Sequence, residues 1–194
     1  LQAQQRRAVV AARIEPLATL PLFHKLAGRR VILAGATDGV AWKAELLAAA
    51  GADVELYAPR GCEALDRLVD SRSADEPGRI HFMAEGWTPQ VIRGAALAIA
   101  DVATDGEAEA FACAARLAGV PVNVVDRPAF CDVQFGAVVN RSPLVIGIST
   151  DGAAPVFGQA VRVRIEAAIP ASFKRWAQAA QAWRPLIRDL ALPF

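Results

Sequence analysis

From Arg29 onward, short apolar runs alternate with stretches whose apolar positions recur at helical spacing. RRVILAGA is an aliphatic run ending in glycine, and AWKAELLAAAG follows with a helical period and Gly51 as its stop. DVELYAP then reads as a strand, GCEALDRLVDSR as a helix and RIHFMA as a strand. TPQVIRGA reads as a helix with Pro89 near its start. AALAIADVAT is apolar on both faces, EAEAFACAARLAG is helical, and VPVNVVD is a further strand. Strands alternating with helices predict βαβ units and a parallel sheet. Strands this continuously apolar predict a sheet covered on both faces.

The expected fold is therefore α/β: a Rossmann-like, doubly wound parallel sheet over residues 15–125. An N-terminal extension, disordered or helical, occupies 1–14. After Asp126 the rhythm changes. DVQFGAVV and PLVIGIST are strand-like runs joined by NRSP without a helix between them, which predicts antiparallel pairing. Residues 126–153 are expected to form a small strand-paired domain. Residues 154–194 form a helical segment, with one helix opening near Ala154-Pro155 and a second carrying Trp176, Ala180 and Trp183 on one face. Arg162, Arg164, Lys174, Arg175, Arg184 and Arg188 outnumber Glu166 and Asp189 there, as a solvated helix face or as a patch for an anionic partner.

Composition narrows the function classes. With 194 residues, 54% hydrophobic, the chain can bury roughly 70% of its unfolded surface, which excludes disorder. A net charge of +1 leaves no global electrostatic footprint for nucleic acid. The most apolar stretch, Pro143 to Val161, is interrupted by Asp151, Gly152 and Pro155, so no membrane span is expected. The basic start is followed by no apolar run and reads as no secretory signal. Cys62, Cys113 and Cys131 show no CxxC spacing, which argues against a disulfide framework and a structural zinc site. The default expectation is a cytoplasmic protein without a bound metal. The chain opens on Leu and ends at ALPF, which fits a piece of something longer.

Candidate chemistry sits at strand ends. The turn Gly35-Ala36-Thr37-Asp38-Gly39 offers small residues where a pyrophosphate would approach a helix N-terminus, with Thr37 where GxGxxG has its second glycine. The alternative is a plain tight βα turn. The acidic residue expected near the end of the second strand is missing; Pro59-Arg60 stands there, and Arg60 suits a 2′-phosphate. Asp101 and Asp105 flank the end of the fourth strand, Asp105 as helix cap or as catalytic group, and Asp101 as a polar contact closing its strand. Asn123, Asp126, Arg127, Asp132 and Arg141 follow at the same sheet edge or in turns. His24 and His81 show no ligand or triad pattern, and Cys131 has no recognisable base.

LPLFHKLAGRRVILAG, VAWKAELLAAAGADVELYAP, ADVATD and VPVNVVDRPAFCDVQFGAVVNRSPLVIGISTDGAAPVFGQAVRVRIE follow one another in a recognisable order. Over roughly Pro16 to Pro170 the chain resembles the N-terminal region of siroheme synthase, the precorrin-2 dehydrogenase/sirohydrochlorin ferrochelatase family. The resemblance implies NAD-dependent oxidation of precorrin-2 to sirohydrochlorin and, in some members, insertion of ferrous iron to give siroheme. It implies an interlocked homodimer, a dimerisation domain made of the paired strands, and a tetrapyrrole cleft between domains. It also implies fusion or coupling to a uroporphyrinogen methyltransferase, for which 194 residues leave no room. Ala103-Thr104-Asp105 matches the pattern around the family's essential aspartate, making Asp105 the candidate catalytic residue. The candidate cofactor contacts are Gly35, Ala36, Thr37, Asp38, Gly39, Pro59, Arg60 and Thr104. Asn123, Arg127, Asp132 and Arg141 are the candidate substrate contacts.

The chain departs from the family at three places: Gly35-Ala36-Thr37 stands for three glycines, Trp42-Lys43 for an Arg-Lys pair, and Asp132 for a common serine. The last of these adds a negative charge near the macrocycle. Two rival readings follow from the residues. A dimeric NAD(P)-sensing module would tolerate Asp105→Ala, and an NADP-linked reductase of another small molecule would prefer a 2′-phosphate.

Overall fold

A computed structural model describes residues 15–59, 63–71 (backbone only at 69–71) and 77–190. The 1–14 extension, Arg60 and Cys62 lie outside these residues. Strands β1 (Arg30–Ala34), β2 (Asp53–Tyr57), β3 (Arg79–Met83), β4 (Leu97–Ala100) and β5 (Val122–Val124) form one sheet in the order β3-β2-β1-β4-β5. All neighbouring pairs are parallel. They are connected through helices α1 (Asp38–Ala49), α2 (Glu63–Ser71), α3 (Pro89–Ile92) and α4 (Asp105–Leu117). Met83, Tyr57, Ala34, Ala100 and Val124 are successive register partners, so the five carboxyl ends finish level. The strand order reverses between β1 and β4. Open α/β sheets take their ligands at that crevice.

Both faces of the sheet are covered over β1, β2, β4 and β5, whereas the edge strand β3 has no fully buried residue and leaves Phe82 exposed. Val31, Leu33, Val54, Leu56, Leu97 and Ile99 pack beneath α1 and α2. Ile32, Ala98, Ala100, Val122 and Val124 pack beneath α3 and α4, around the fully buried Phe111. Trp87 meets the Phe111 ring edge-on at 4.8 Å. The short β4 is flanked by aliphatic side chains on both sides, and its four residues are all buried.

The boundary between the two compact units falls at Gly136/Ala137, not after Val125. The reason is local. The amides of Asp132 and Val133 both donate to the Val122 carbonyl (2.8 and 3.2 Å). Val133 and Phe135 pack against the core on the α1 side. The apolar alternation of DVQFGAVV thus serves two purposes, and only Ala137–Arg141 is strand. Residues 15–22 group with the second unit rather than with the sheet.

That second unit, considered by itself, holds a hairpin of β6 (Ala137–Arg141) and β7 (Leu144–Ile148), antiparallel as expected. Asn140 Oδ1 accepts from the Ser142 amide (2.9 Å) and hydroxyl (2.6 Å), closing the NRSP turn. Helix α5 (Pro155–Ala168) packs on both strands, and α6 (Phe173–Asp189) packs on β6. Val156, Phe157, Trp176, Trp183 and Leu186 remain exposed on these helices. Among the described residues no helix is long and apolar enough to cross a membrane.

Candidate functional site

The turn between β1 and α1 is built against the end of β4. Gly35 has φ +120°, and a Cβ there would lie 2.5 Å from the Asp101 carbonyl oxygen, so only glycine fits. Thr37 caps α1: its Oγ1 accepts from the Val40 amide (3.2 Å) and donates to Asp101 Oδ2 (2.5 Å). Asp101 in turn donates its amide to the Ala34 carbonyl (2.9 Å). The amides of Asp38 and Gly39 open the helix without intrahelical acceptors, at the positive end of its dipole. Gly39 is not demanded by the fold, since a Cβ there would meet only ordinary contacts from 3.5 Å outward.

At the end of β2 no carboxylate is presented among the described residues. Tyr57 is buried, and its hydroxyl donates to Glu55 Oε2 (3.0 Å). Burial, then Glu55, raises the Tyr57 pKa above the ordinary tyrosine value. Glu55 is also taken by Arg30 (3.1 Å). Pro59 follows, exposed.

Beyond β4 the sequence left Asp105 as a cap or a catalytic group. Thr104 is the cap: its hydroxyl accepts from the Glu107 amide (3.2 Å) while Glu107 Oε2 accepts from the Thr104 amide and hydroxyl (both 3.1 Å). This capping box absorbs the polar atoms of the Thr104 side chain. Asp105 is thereby the first residue of α4, with its side chain 76% exposed. Arg127, from the loop after β5, forms an ion pair with Asp105 and also donates to the Ala103 carbonyl (2.8 Å). Two residues assigned separate roles from sequence are thus brought together.

The remaining candidates are engaged within the fold. Asn123 is buried; its Nδ2 donates to the Val133 carbonyl (2.9 Å), and its Oδ1 has no partner among the described residues. Asp132 accepts from both Nε and Nη2 of Arg116 (3.0 and 2.8 Å), so its charge is matched rather than free. Arg141 belongs to the second unit, where it donates to the carbonyls of Ile169 (2.8 Å) and Asn140 (2.9 Å). Cys131 Sγ lies 3.2 Å from both the amide and the carbonyl of Val124. His81 pairs with Asp53 at 3.0 Å on the surface.

Lys43, singled out in the sequence only as part of the Trp42-Lys43 pair, proves to be a buried cation. It faces the sheet from α1 and is 8% exposed, with its ammonium 4.1 Å from the centre of the Phe135 ring. Burial lowers its pKa below the ordinary lysine value, opposed by the nearby carboxylates of Asp126 and Asp101. The available signal was one cation on the apolar stripe of an otherwise aliphatic helix. Two surface grooves, of about 450 and 460 Å³, lie beside α1 and α4. Asp38 is the one sequence-predicted site residue that lines either of them.

The cradle at Gly35, the open amides of α1 and the level strand ends fit a dinucleotide at this crevice. Residues 22–137 match the model of the family described as "Putative NAD(P)-binding". The siroheme synthase of Ectopseudomonas mendocina (strain ymp) is 39% identical over 173 residues, covering 88% of this chain and 35% of that protein. The siroheme synthase of Azotobacter vinelandii (strain DJ / ATCC BAA-1303) is 41% identical over 173 residues, covering 88% and 36%. The chain thus spans about a third of the length of the curated relatives it matches. The solved structure titled "SirC, precorrin-2 dehydrogenase" shares the fold, with TM-score 0.73 at 18% identity over 90% of this chain and 83% of that one. The expected cofactor, NAD, falls in the class named by the family description. The chain belongs to this NAD(P)-binding family and corresponds to the N-terminal region of siroheme synthase.

Proposed function

We propose that the chain oxidises precorrin-2 to sirohydrochlorin with NAD as hydride acceptor. The observation that carries this reading is the disposition of Asp105. It stands at the first position of α4, at the level carboxyl edge of the sheet, relieved of capping by Thr104 and Glu107. Oxidation removes a hydride and a proton from the tetrapyrrole. The dinucleotide, when bound, takes the hydride. The Gly35–Gly39 turn and the α1 amides would hold its pyrophosphate.

The remaining task, removal of the proton, falls to Asp105 as general base, directly or through water. Arg127 orients that carboxylate through the ion pair and keeps a cation beside a substrate rich in carboxylates. Asn123 acts as a strut for the loop carrying Cys131 to Val133, so we place it behind the substrate contacts rather than among them. The same carboxylate would accept pyrrole protons if ferrous iron, as substrate, enters sirohydrochlorin. The similarity to siroheme synthases supports a tetrapyrrole substrate. The exposed apolar side chains of α5 and α6 support a homodimer.

An anaerobic assay with precorrin-2 and NAD, followed by sirohydrochlorin absorbance, tests the reading. Native turnover should fall by roughly 10²–10⁴-fold in Asp105→Ala, with NAD affinity retained. Unchanged turnover in the variant refutes the role of Asp105. Absence of native turnover despite tight NAD binding favours a sensing module. Adding ferrous iron to the sirohydrochlorin formed tests chelation separately, and titration with NADP tests cofactor choice.

A further inference from the structure

We infer that Asp101 is a positioning residue for the dinucleotide turn, acting on it through Thr37. The inference rests on the reading that this turn binds NAD. Three separate contacts join Asp101 to the turn. Its amide donates to Ala34, the last residue of β1 (2.9 Å). Its carbonyl oxygen occupies the space that a Cβ on Gly35 would need. Its carboxylate accepts the Thr37 hydroxyl proton (2.5 Å).

Thr37 is therefore doubly used: one lone pair takes the Val40 amide and caps α1, and its proton goes to Asp101, just past the end of β4. A glycine at position 37, as in GxGxxG, has no side chain with which to make either bond. A hydroxyl and a carboxylate from separate strand ends here lock the orientation of the α1 amides relative to the sheet. A carboxylate beside a pyrophosphate site carries an electrostatic cost. The buried Lys43 ammonium, whose charge interacts with Asp101, offsets part of it. Preorganised donors bind more tightly because less ordering remains to be done on binding.

Calorimetric titration of NAD into the full chain tests this without any turnover. Asp101→Ala should weaken NAD at least about tenfold, while Asp101→Asn, which keeps an acceptor for the Thr37 hydroxyl, should stay within about twofold. Thr37→Val should weaken NAD as well, Thr37→Ser should restore it, and the Asp101→Ala/Thr37→Val pair should be no worse than the poorer single variant. In turnover, KM for NAD should rise with kcat at saturating NAD little changed. Thermal unfolding identifies any variant that fails to fold, and Asp101→Ala leaves the α1 cap in place. Native-like affinity in Asp101→Ala, equal losses in Asn and Ala, or additive losses in the double variant each overturn the inference while leaving the dehydrogenase reading intact. A native chain that binds no dinucleotide overturns both.

Discussion

A lysine held 8% exposed, against a phenylalanine ring and without an ion pair within bonding distance among the described residues, carries a charge where the fold favours none. Its folded pKa lies below the ordinary 10.5. Between that depressed value and 10.5 the unfolded chain binds more protons than the folded one, so stability rises with pH across this window. Below it, the cost of burying the charged form is fully present. Lys43→Met removes the titration. The unfolding free energy of the native chain relative to Lys43→Met should therefore climb as pH is raised toward 10.5 in matched denaturation curves; a flat difference would contradict the burial. Tyr57, titrating nearby in the opposite sense, is common to both proteins and cancels. None of this was readable from a single cation in AWKAELLAAAG. Nor was the pairing of Asp105 with Arg127, or of Asp132 with Arg116, since each partner arrives from another element.

Elements were far more legible than contacts. The aliphatic runs of β1, β2, β4 and β5 and the glycine stops between them already contain the parallel sheet. Burial on both faces is written directly into strand composition. What misled was the stretch 132–136, whose alternation reads as strand but serves to lay Val133 and Phe135 onto the core. The glycines of the βα1 turn separate folding demand from binding demand. Gly35→Ala meets a carbonyl at 2.5 Å in a left-handed conformation and should lose at least about 2 kcal/mol in chemical denaturation. Gly39→Ala meets nothing closer than 3.5 Å within a helix, and should hold or gain up to about 1 kcal/mol. Its NAD affinity should nevertheless drop, because the added methyl occupies the approach to the α1 amides. Equal behaviour of the two variants in both assays would remove that distinction.

Taken whole, the chain is a sheet unit with a crevice and a hairpin-and-helices unit with an uncovered apolar surface. Trp176 and Trp183, one heptad apart on α6, are 75% and 63% exposed. Solvent does not favour two indoles so placed, and a second copy of the chain would cover them. Sedimentation equilibrium of the native chain should give a dimer, and Trp176→Glu with Trp183→Glu should shift it toward monomer. A native monomer at tens of micromolar would rule out this assembly. The sequence had placed these helices and their one-sided aromatics, because an amphipathic period survives without knowledge of the partner. Which surface is buried in an assembly is a property of two chains and is not written in one.

The capping of α4 by Thr104 and Glu107, rather than by Asp105, has a consequence for how such a chain can change over generations. The cap of α4 is made by residues other than 105. On the function proposed above, a single substitution there would silence proton transfer and release Arg127 while the α4 cap and the dinucleotide turn keep their own contacts. A receptor that registers the nicotinamide pool and an enzyme that consumes it are then neighbours in sequence space, one codon apart on the same frame.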